Sequence, residues 1–255
     1  MEITVIIPAY NESGRIGKTL RSILDYMTAR SFIFEIIVVD DGSTDTTAQV
    51  VKNLNDERIK LISIGGNRGK GFAVWKGLSK ARFELALFSD ADLSTPIEDI
   101  ELLVPFVKTH GVIIGSRNLP DSCITKPQPW IRSHLGKSFP LLVRMLVLPG
   151  IADSQCGFKL FTKSAISVIT AHQTINDFGF DVEIIYLCRK AGLLIKEVGV
   201  HWGNAEGSKV RIMSDSWRML LDLFRIRWND LTGKYPVALD AKPHETSIPL
   251  HGGHY

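Results

Sequence analysis

The chain of 255 residues has few cysteines and little net charge. Its three cysteines, Cys123, Cys156 and Cys188, are odd in number, widely spaced and without the pattern of a metal site. We therefore expect buried thiols in a reducing compartment. A net charge of +3, with no interleaving of aromatic and basic residues, leads us to expect no nucleic-acid partner.

Long apolar runs are also absent. The longest, Phe139 to Leu148, is interrupted by Pro140 and Arg144, whereas a membrane-spanning helix needs roughly 20 apolar residues. The apolar stretch at residues 3–7 has no basic region before it and no cleavage site after it, so no secretory signal is predicted. We expect a cytoplasmic protein, and peripheral binding to the cytoplasmic face of a membrane stays open.

The first half of the chain alternates strand-like and helix-like segments. Strands are predicted at 3–7, 34–39, 59–64, 83–88 and 112–116, with helices beginning near 16 and 44 and spanning 72–81 and 97–109. Short turns join them, which predicts an α/β fold with a mainly parallel sheet and helices on both faces. Ligands of such sheets bind beyond the carboxyl ends of the strands, where the polar residues of this chain fall.

The second half is less regular. Residues 120–129 are rich in turn formers and predict a mobile loop, and 134–148 are largely apolar. A turn and a strand are predicted at 153–161, a helix at 179–190, an edge strand at 194–202 and an amphipathic helix at 214–231. Residues 232–255 contain several prolines and glycines and predict a disordered tail.

Two carboxylates, Asp90 and Asp92, follow the apolar run at 83–88. On extended backbone, residues two apart project from the same side, so both can reach one point beyond the end of the strand. Hard oxygen ligands suit Mg2+ or Mn2+, which commonly bridge a protein to substrate phosphates. The pair therefore indicates a metal site.

Other chemistries fit the sequence poorly. The glycine-rich loop at 65–71 has neither the P-loop nor the dinucleotide-binding spacing, and there is no nucleophile elbow and no zinc-binding histidine pair. Cys156 has no evident base partner for covalent catalysis. We therefore expect a nucleoside diphosphate that carries a group to be transferred, with Lys70, Arg117 and Lys209 adding positive charge around its phosphates.

Several motifs occur in the order typical of one family. They are Val5-Ile6-Ile7-Pro8-Ala9-Tyr10-Asn11-Glu12, Val38-Val39-Asp40-Asp41-Gly42-Ser43, Asn67-Arg68-Gly69-Lys70-Gly71, Asp90-Ala91-Asp92, Gly115-Ser116-Arg117, Gln155-Cys156-Gly157-Phe158-Lys159 and Phe180-Asp181-Val182-Glu183. Over roughly residues 1–230 the chain resembles the family 2 glycosyltransferases with the Rossmann-like GT-A fold. Within them it is similar to the dolichyl-phosphate β-glucosyltransferase branch, which is related to the dolichyl-phosphate mannosyltransferases.

The resemblance implies an inverting, metal-dependent transfer of a hexosyl group from a nucleotide-sugar onto a polyprenyl or dolichyl phosphate. UDP-glucose is the expected donor. Residues 1–118 would bind the nucleotide-sugar and 119–231 the acceptor. The nucleoside would be held by Pro8, Tyr10, Glu12, Val38 and Asp40. The diphosphate and the metal would be held by Asp90, Ala91 and Asp92, and donor or acceptor phosphates by Arg117 and Lys209.

Two departures from the family pattern stand out. Mannosyltransferase relatives often place a glutamine two residues after the second aspartate as a further metal ligand, and here Ser94 stands there. Eukaryotic relatives carry an N-terminal membrane span, whereas this chain begins directly at its first predicted strand. GDP-mannose as donor, a sugar hydroxyl as acceptor, a sugar-nucleotide pyrophosphorylase and a nucleotide-sugar sensor stay open as alternatives.

The acceptor decides which residues catalyse. A phosphate monoester has a second pKa near 6 and is already an anionic nucleophile, whereas a sugar hydroxyl needs a general base. We expect Asp92 and Arg117 to act on phosphates, and Asp181 or Glu183 to orient the substrate or to serve as the base. The helix at 214–231, with a tryptophan near each end and arginines between, either binds a membrane or packs as a core helix or dimer interface.

Overall fold

The computed structural model describes residues 1–126, 140–203 and 212–235. The strands are β1 (Glu2–Ala9), β2 (Ile33–Asp40), β3 (Ile59–Ser63), β4 (Leu85–Ser89), β5 (Val112–Ser116), β6 (Cys123–Lys126), β7 (Phe158–Thr162), β8 (Ile195–Gly199) and β9 (His201–Gly203). The helices are α1 (Ile16–Ala29), α2 (Thr47–Lys52), α3 (Lys70–Leu78), α4 (Ile100–Leu103), α5 (140–146), α6 (Lys163–His172), α7 (Phe180–Lys190) and α8 (Ile212–Leu231).

Seven strands form one sheet in the order β3-β2-β1-β4-β7-β5-β8. Every pairing is parallel except those of β7, which runs antiparallel between β4 and β5. Neighbouring residues of β1 enter opposite cores, Ile6 on one face and Val5 and Ile7 on the other, because side chains alternate along a strand. The predicted mainly parallel sheet with helices on both faces is confirmed.

Several predicted elements differ in extent. The helix predicted at 97–109 is reduced to α4 flanked by two short 3-10 segments, Ile97–Asp99 and Val104–Phe106. Pro105 explains the break, because proline lacks the N–H that a continuing helix requires. Helix α6 was not predicted, and the strand before it, β7, pairs against the direction of its neighbours.

The loop predicted at 120–129 and the edge strand predicted at 194–202 contribute strands to two different sheets. β6 lies within the predicted loop and pairs with β9 in a separate two-stranded sheet. β8 forms an edge of the main sheet, as predicted. Cys123 is exposed on the small surface sheet, contrary to the expectation of buried thiols, whereas Cys156 and Cys188 are buried. Residues 127–129 of the predicted loop lie outside the described residues.

Helix α8 turns an apolar stripe away from the protein. Its exposed side chains recur at steps of four and three and are Trp217, Leu221, Phe224, Trp228 and Leu231. Leu223 and Ile226 enter the core, and so does the amide of Asn229, which donates to the hydroxyl of Tyr235. Among the described helices, none has the length and hydrophobicity needed to cross a bilayer.

The chain remains packed beyond the end of α8. Tyr235 is 1% exposed, and its hydroxyl donates to Glu183 at 2.6 Å. These contacts lie within the first residues of the predicted tail, 232–255. Residues 236–255 lie outside the described part of the chain.

Candidate functional site

A cleft of about 260 Å3 opens at the carboxyl ends of β1 and β4, where the strand order reverses. Parallel sheets bind ligands at such a point because the connections on either side leave in opposite directions. The cleft is lined by Pro8, Ala9, Tyr10, Glu12, Arg15, Asp41, Asn67, Gly69, Lys70, Ala73, Asp90, Ala91, Asp92, Asp177 and Phe178. Seven of the predicted site residues therefore meet here: Pro8, Tyr10, Glu12, Lys70, Asp90, Ala91 and Asp92.

The two aspartates are held by a tight turn after β4. The backbone N–H of Asp90 donates to the carbonyl of Gly157 at 3.0 Å. The carboxylate of Asp92 accepts the backbone N–H of Ser94 at 2.9 Å. Directly after Asp92, Leu93 has a φ of 47°, in the left-handed region that a leucine rarely adopts. The turn stores strain to aim both carboxylates at the cleft, as functional sites often do.

Two cationic side chains face these carboxylates. The ammonium of Lys70, at the first position of α3, lies 2.7 Å from Asp90. Burial disfavours its charge, but Asp90 and Asp181 outweigh that effect and raise its pKa. A guanidinium nitrogen of Arg15 lies 3.9 Å from Asp92, and a hydrogen bond to Glu12 raises the pKa of this arginine. Both side chains stay charged and offer positive charge to a bound anion.

The glycine-rich loop closes one side of the cleft. Asp41 accepts the backbone N–H groups of Arg68 and Gly69, both at 2.8 Å, and so fixes the loop before α3. Gly69 has a φ of 101°, and a side chain there would meet the backbone of Asn176. Only glycine suits this position, since it has no Cβ.

Eight of these lining residues were not among the predicted site residues: Ala9, Arg15, Asp41, Asn67, Gly69, Ala73, Asp177 and Phe178. Arg15 stands three residues after Glu12, a spacing that could have indicated their ion pair. Asp177 and Phe178 precede α7, far along the chain, and local sequence gives no signal that they return to the cleft.

Three other predicted residues, all within the described part of the chain, lie apart from the cleft lining. Val38 is fully buried inside β2, and Asp40 accepts the backbone N–H of Ser43. Arg117 follows β5 and forms a two-point ion pair with the buried Asp153, at 2.7 and 2.8 Å. Asp153 outweighs the burial that disfavours the charge of Arg117, and so raises its pKa. Lys209 lies outside the described residues.

The two acidic residues of α7 are both buried. Asp181 pairs with the ammonium of Lys159 beneath the cleft. Glu183 accepts the backbone N–H groups of Thr174 and Ile175 and the hydroxyl of Tyr235. The structure does not bring either carboxylate to the lining of the cleft. Within the described residues, no group of three or more His, Cys, Asp and Glu side chains is arranged to hold a metal ion.

The family profile described as "Glycosyl transferase family 2" matches residues 4–170. Dolichyl-phosphate beta-glucosyltransferase of Dictyostelium discoideum is 36% identical, over 92% of this chain and 76% of its own length. The Homo sapiens protein of that name is 34% identical, over 92% of this chain and 77% of its own length. The Saccharomyces cerevisiae protein is 35% identical, over 91% of this chain and 76% of its own length.

Solved structures share the fold at lower identity. Glucosyl-3-phosphoglycerate synthase from Mycobacterium tuberculosis, in complex with Mn2+, UDP and glucosyl-3-phosphoglycerate, superposes with a TM-score of 0.66 at 17% identity, covering 88% of this chain and 79% of that one. Mannosyl-3-phosphoglycerate synthase from Rubrobacter xylanophilus superposes with a TM-score of 0.64 at 19% sequence identity. The match covers 98% of this chain and 79% of that one. The predicted GT-A fold is confirmed. The chain belongs to glycosyl transferase family 2 and, within it, to the branch of the dolichyl-phosphate beta-glucosyltransferases.

Proposed function

We propose that this protein transfers glucose from UDP-glucose to dolichyl phosphate or a related polyprenyl phosphate. The observation that carries the proposal is one cleft in which the carboxylates of Asp90 and Asp92 face the cationic side chains of Lys70 and Arg15. Such a set of charges suits a metal-bound diphosphate. The names of the relatives supply the sugar and the lipid acceptor.

The residues present fit a divalent cation. Mg2+ and Mn2+ prefer oxygen ligands and are usually bound through one or two carboxylates, water and substrate phosphates, so Asp90 and Asp92 are a sufficient protein contribution. Ser94 replaces the glutamine of mannosyltransferase relatives, and its backbone N–H orients Asp92 instead. When bound, the cation neutralises negative charge on the departing nucleotide.

The reaction exchanges one bond for another. An anionic oxygen of the lipid phosphate forms a bond to the anomeric carbon of glucose, and the bond from that carbon to the β-phosphate of UDP breaks with its electron pair. The configuration at the anomeric carbon inverts. A phosphate nucleophile is already ionised at neutral pH, so the transfer needs no general base. Lys70 and Arg15 would bind the phosphates of the donor, and Arg117 those of donor or acceptor.

A lipid acceptor places the enzyme at a membrane surface, and α8 suits that role. Its outward stripe of two tryptophans, a phenylalanine and two leucines is flanked by the exposed arginines 218, 225 and 227. Aromatic rings favour the interface of a bilayer, and arginines attract anionic headgroups. We propose that this face lies on the cytoplasmic side of an anionic membrane.

Product analysis tests the proposed function. Purified protein with Mn2+, dolichyl phosphate and radiolabelled UDP-glucose should yield a glucolipid and UDP in equal amounts. GDP-mannose, under the same conditions, should yield little mannolipid. Preference for GDP-mannose would overturn the choice of donor, and release of UDP without a lipid product would overturn the choice of acceptor.

A further inference from the structure

A buried ion pair below the cleft has no part in the chemistry described so far. Lys159 lies on β7 and is 0% exposed, and its ammonium donates to the carboxylate of Asp181. The same ammonium donates to the carbonyl of Cys156 at 2.6 Å. Asp181 is the second residue of α7, so the pair joins the interior of the sheet to the start of that helix.

Packing alone does not require this pair. Removing two charges from water costs several kcal/mol per ion, and well-packed apolar residues of similar size often stabilise a fold as well or better. Removal of only one partner, by contrast, leaves an uncompensated buried charge. The pair therefore calls for a role besides stability.

The backbone connects Lys159 to the first metal-site carboxylate. Lys159 pairs in register with Phe88, two residues before Asp90. The carbonyl that Lys159 fixes belongs to Cys156, and the next residue, Gly157, accepts the backbone N–H of Asp90 at 3.0 Å. A Cβ at Gly157 would overlap the carboxyl group of Asp90, so this carboxylate rests directly on the turn at 156–157.

Electrostatics connects the same groups. The ammonium nitrogens of Lys70 and Lys159 lie 5.2 and 5.5 Å from the centre of the Phe88 ring. Lys70 pairs with Asp90 on the cleft side, and Lys159 pairs with Asp181 below it. Both ammonium groups, each paired with its own carboxylate, thus lie close to one ring, and a change in the lower pair alters the field at the upper one.

We propose that Lys159 and Asp181 are positioning residues, whose ion pair fixes the 156–157 turn and so holds the Asp90 carboxylate ready for a divalent cation. The proposal rests on the proposed function, because that function assigns the cation to Asp90 and Asp92. It assigns Asp181 the role of ion-pair partner of Lys159, in place of the role of general base. On this proposal Asp181 acts through Lys159 and does not serve as a base.

Metal titration of full-length variants tests this role. The wild type and the neutral double variant K159M/D181N are titrated with Mn2+ in the presence of UDP, and binding is followed by electron paramagnetic resonance of free Mn2+. We expect the double variant to keep its melting temperature within a few degrees and to bind Mn2+ about tenfold more weakly, the lower end of losses seen when supporting partners of metal ligands are removed. The matched control K190M/D230N removes an ion pair between α7 and α8 and should bind Mn2+ as the wild type does.

The single variant D181N keeps the shape of the side chain and an oxygen that accepts from Lys159, and the buried lysine can lose its proton instead of staying charged and unpaired. It therefore tests the role even if the double variant does not fold. We expect weaker Mn2+ binding and a turnover number that recovers at saturating Mn2+. Unchanged Mn2+ binding by either folded variant, or turnover that stays low at saturating Mn2+, would overturn the positioning role. Failure of the wild type to bind Mn2+ with UDP would instead remove the metal site of the proposed function, and the positioning role with it.

Discussion

Single residues decide whether the cleft can hold a cation, and Asp92 is the simplest to test. Asp92→Ala removes one of the two carboxylates at the carboxyl end of β4. We expect glucosyl transfer to fall by about a hundredfold or more, because a positioned charge in a catalytic site is commonly worth that much. Asp25→Ala, on the exposed face of α1, should leave transfer unchanged. Equal rates in both variants, measured with UDP-glucose and Mn2+, would contradict the site.

Gly157 offers a test that changes no charged group. Gly157→Ala would place a Cβ into the Asp90 carboxyl group, so the carboxylate must shift away. We expect Mn2+ affinity in the presence of UDP to fall about tenfold or more, with the helical content seen by circular dichroism retained. Gly65→Ala is the control, since nothing lies within 4 Å of a Cβ there. Comparable loss in both variants would show that the effect is not specific to Asp90.

At the residue scale, the sequence predicted the parts of the site that are formed by residues close together in the chain. Asp90 and Asp92 could be paired because strand geometry puts residues two apart on one side. Arg15 and Asp177 reach the same cleft only through the packing of α1 and of the segment before α7, which no local pattern encodes. Asp181 and Glu183 belong to one of the motifs on which the resemblance rests, yet both are buried against their partners Lys159, Thr174 and Tyr235.

At the scale of elements, α8 shows that an amphipathic helix is easier to predict than the face that it turns toward the protein. The polar residues of this helix form one stripe, which would normally face water. In the structure Asn229 is buried, and Asp222 packs against the backbone of Gly179, next to the cleft residue Phe178. Tertiary contacts thus turn part of the polar stripe inward, and the apolar stripe is left outside.

The inward orientation of Asp222 predicts a pH dependence. Burial, together with the nearby charges of Asp177 and Glu183, outweighs Arg225 and raises the pKa of Asp222 from 3.8 to about 6. The folded state thus binds this proton more tightly than the unfolded state. The stabilisation is complete below about pH 4 and is lost as the pH rises through about 6.

Asp222→Asn should therefore raise the free energy of unfolding by roughly 1–2 kcal/mol at neutral pH, after allowance for solvent screening. It should make little difference below about pH 4. Urea denaturation across this pH range measures the effect. Asp25→Asn should shift the curve by less than about 0.5 kcal/mol throughout. A variant curve parallel to that of the wild type would contradict the raised pKa.

At the scale of the whole molecule, the order of the strands places the cleft. The alternation of strands and helices predicted a mainly parallel sheet, and its reversal between β1 and β4 brings the first and fourth strand ends together. The antiparallel insertion of β7 could not be read from periodicity, since a buried strand has the same pattern in either direction. It matters because β7 carries the turn on which Asp90 rests.

The position of α8 bears on the proposed contact with a membrane. The inner side of α8 touches Gly179 beside the cleft, and its outer side carries the apolar stripe. On the proposed membrane role, a bilayer that binds the stripe would lie against α8, whose inner side contacts Gly179 next to the cleft residue Phe178. This arrangement predicts that vesicle binding and transfer to a lipid in a vesicle are lost together.

The double variant F224E/W228E tests whether the stripe is needed for vesicle binding and not for the chemistry of the cleft. Its side chains are 58% and 64% exposed in the wild type, so folding should be unaffected. Burial of each ring is worth roughly 1.5–3 kcal/mol, so flotation with phosphatidylcholine vesicles containing phosphatidylglycerol should weaken by about tenfold or more. Transfer to dolichyl phosphate in those vesicles should fall with it, whereas transfer to a short, water-soluble polyprenyl phosphate should persist because the cleft is intact. Leu194→Glu, a change at a position outside α8 that is 62% exposed, is the control and should float as the wild type does. If F224E/W228E floats equally well, the stripe faces something other than a membrane.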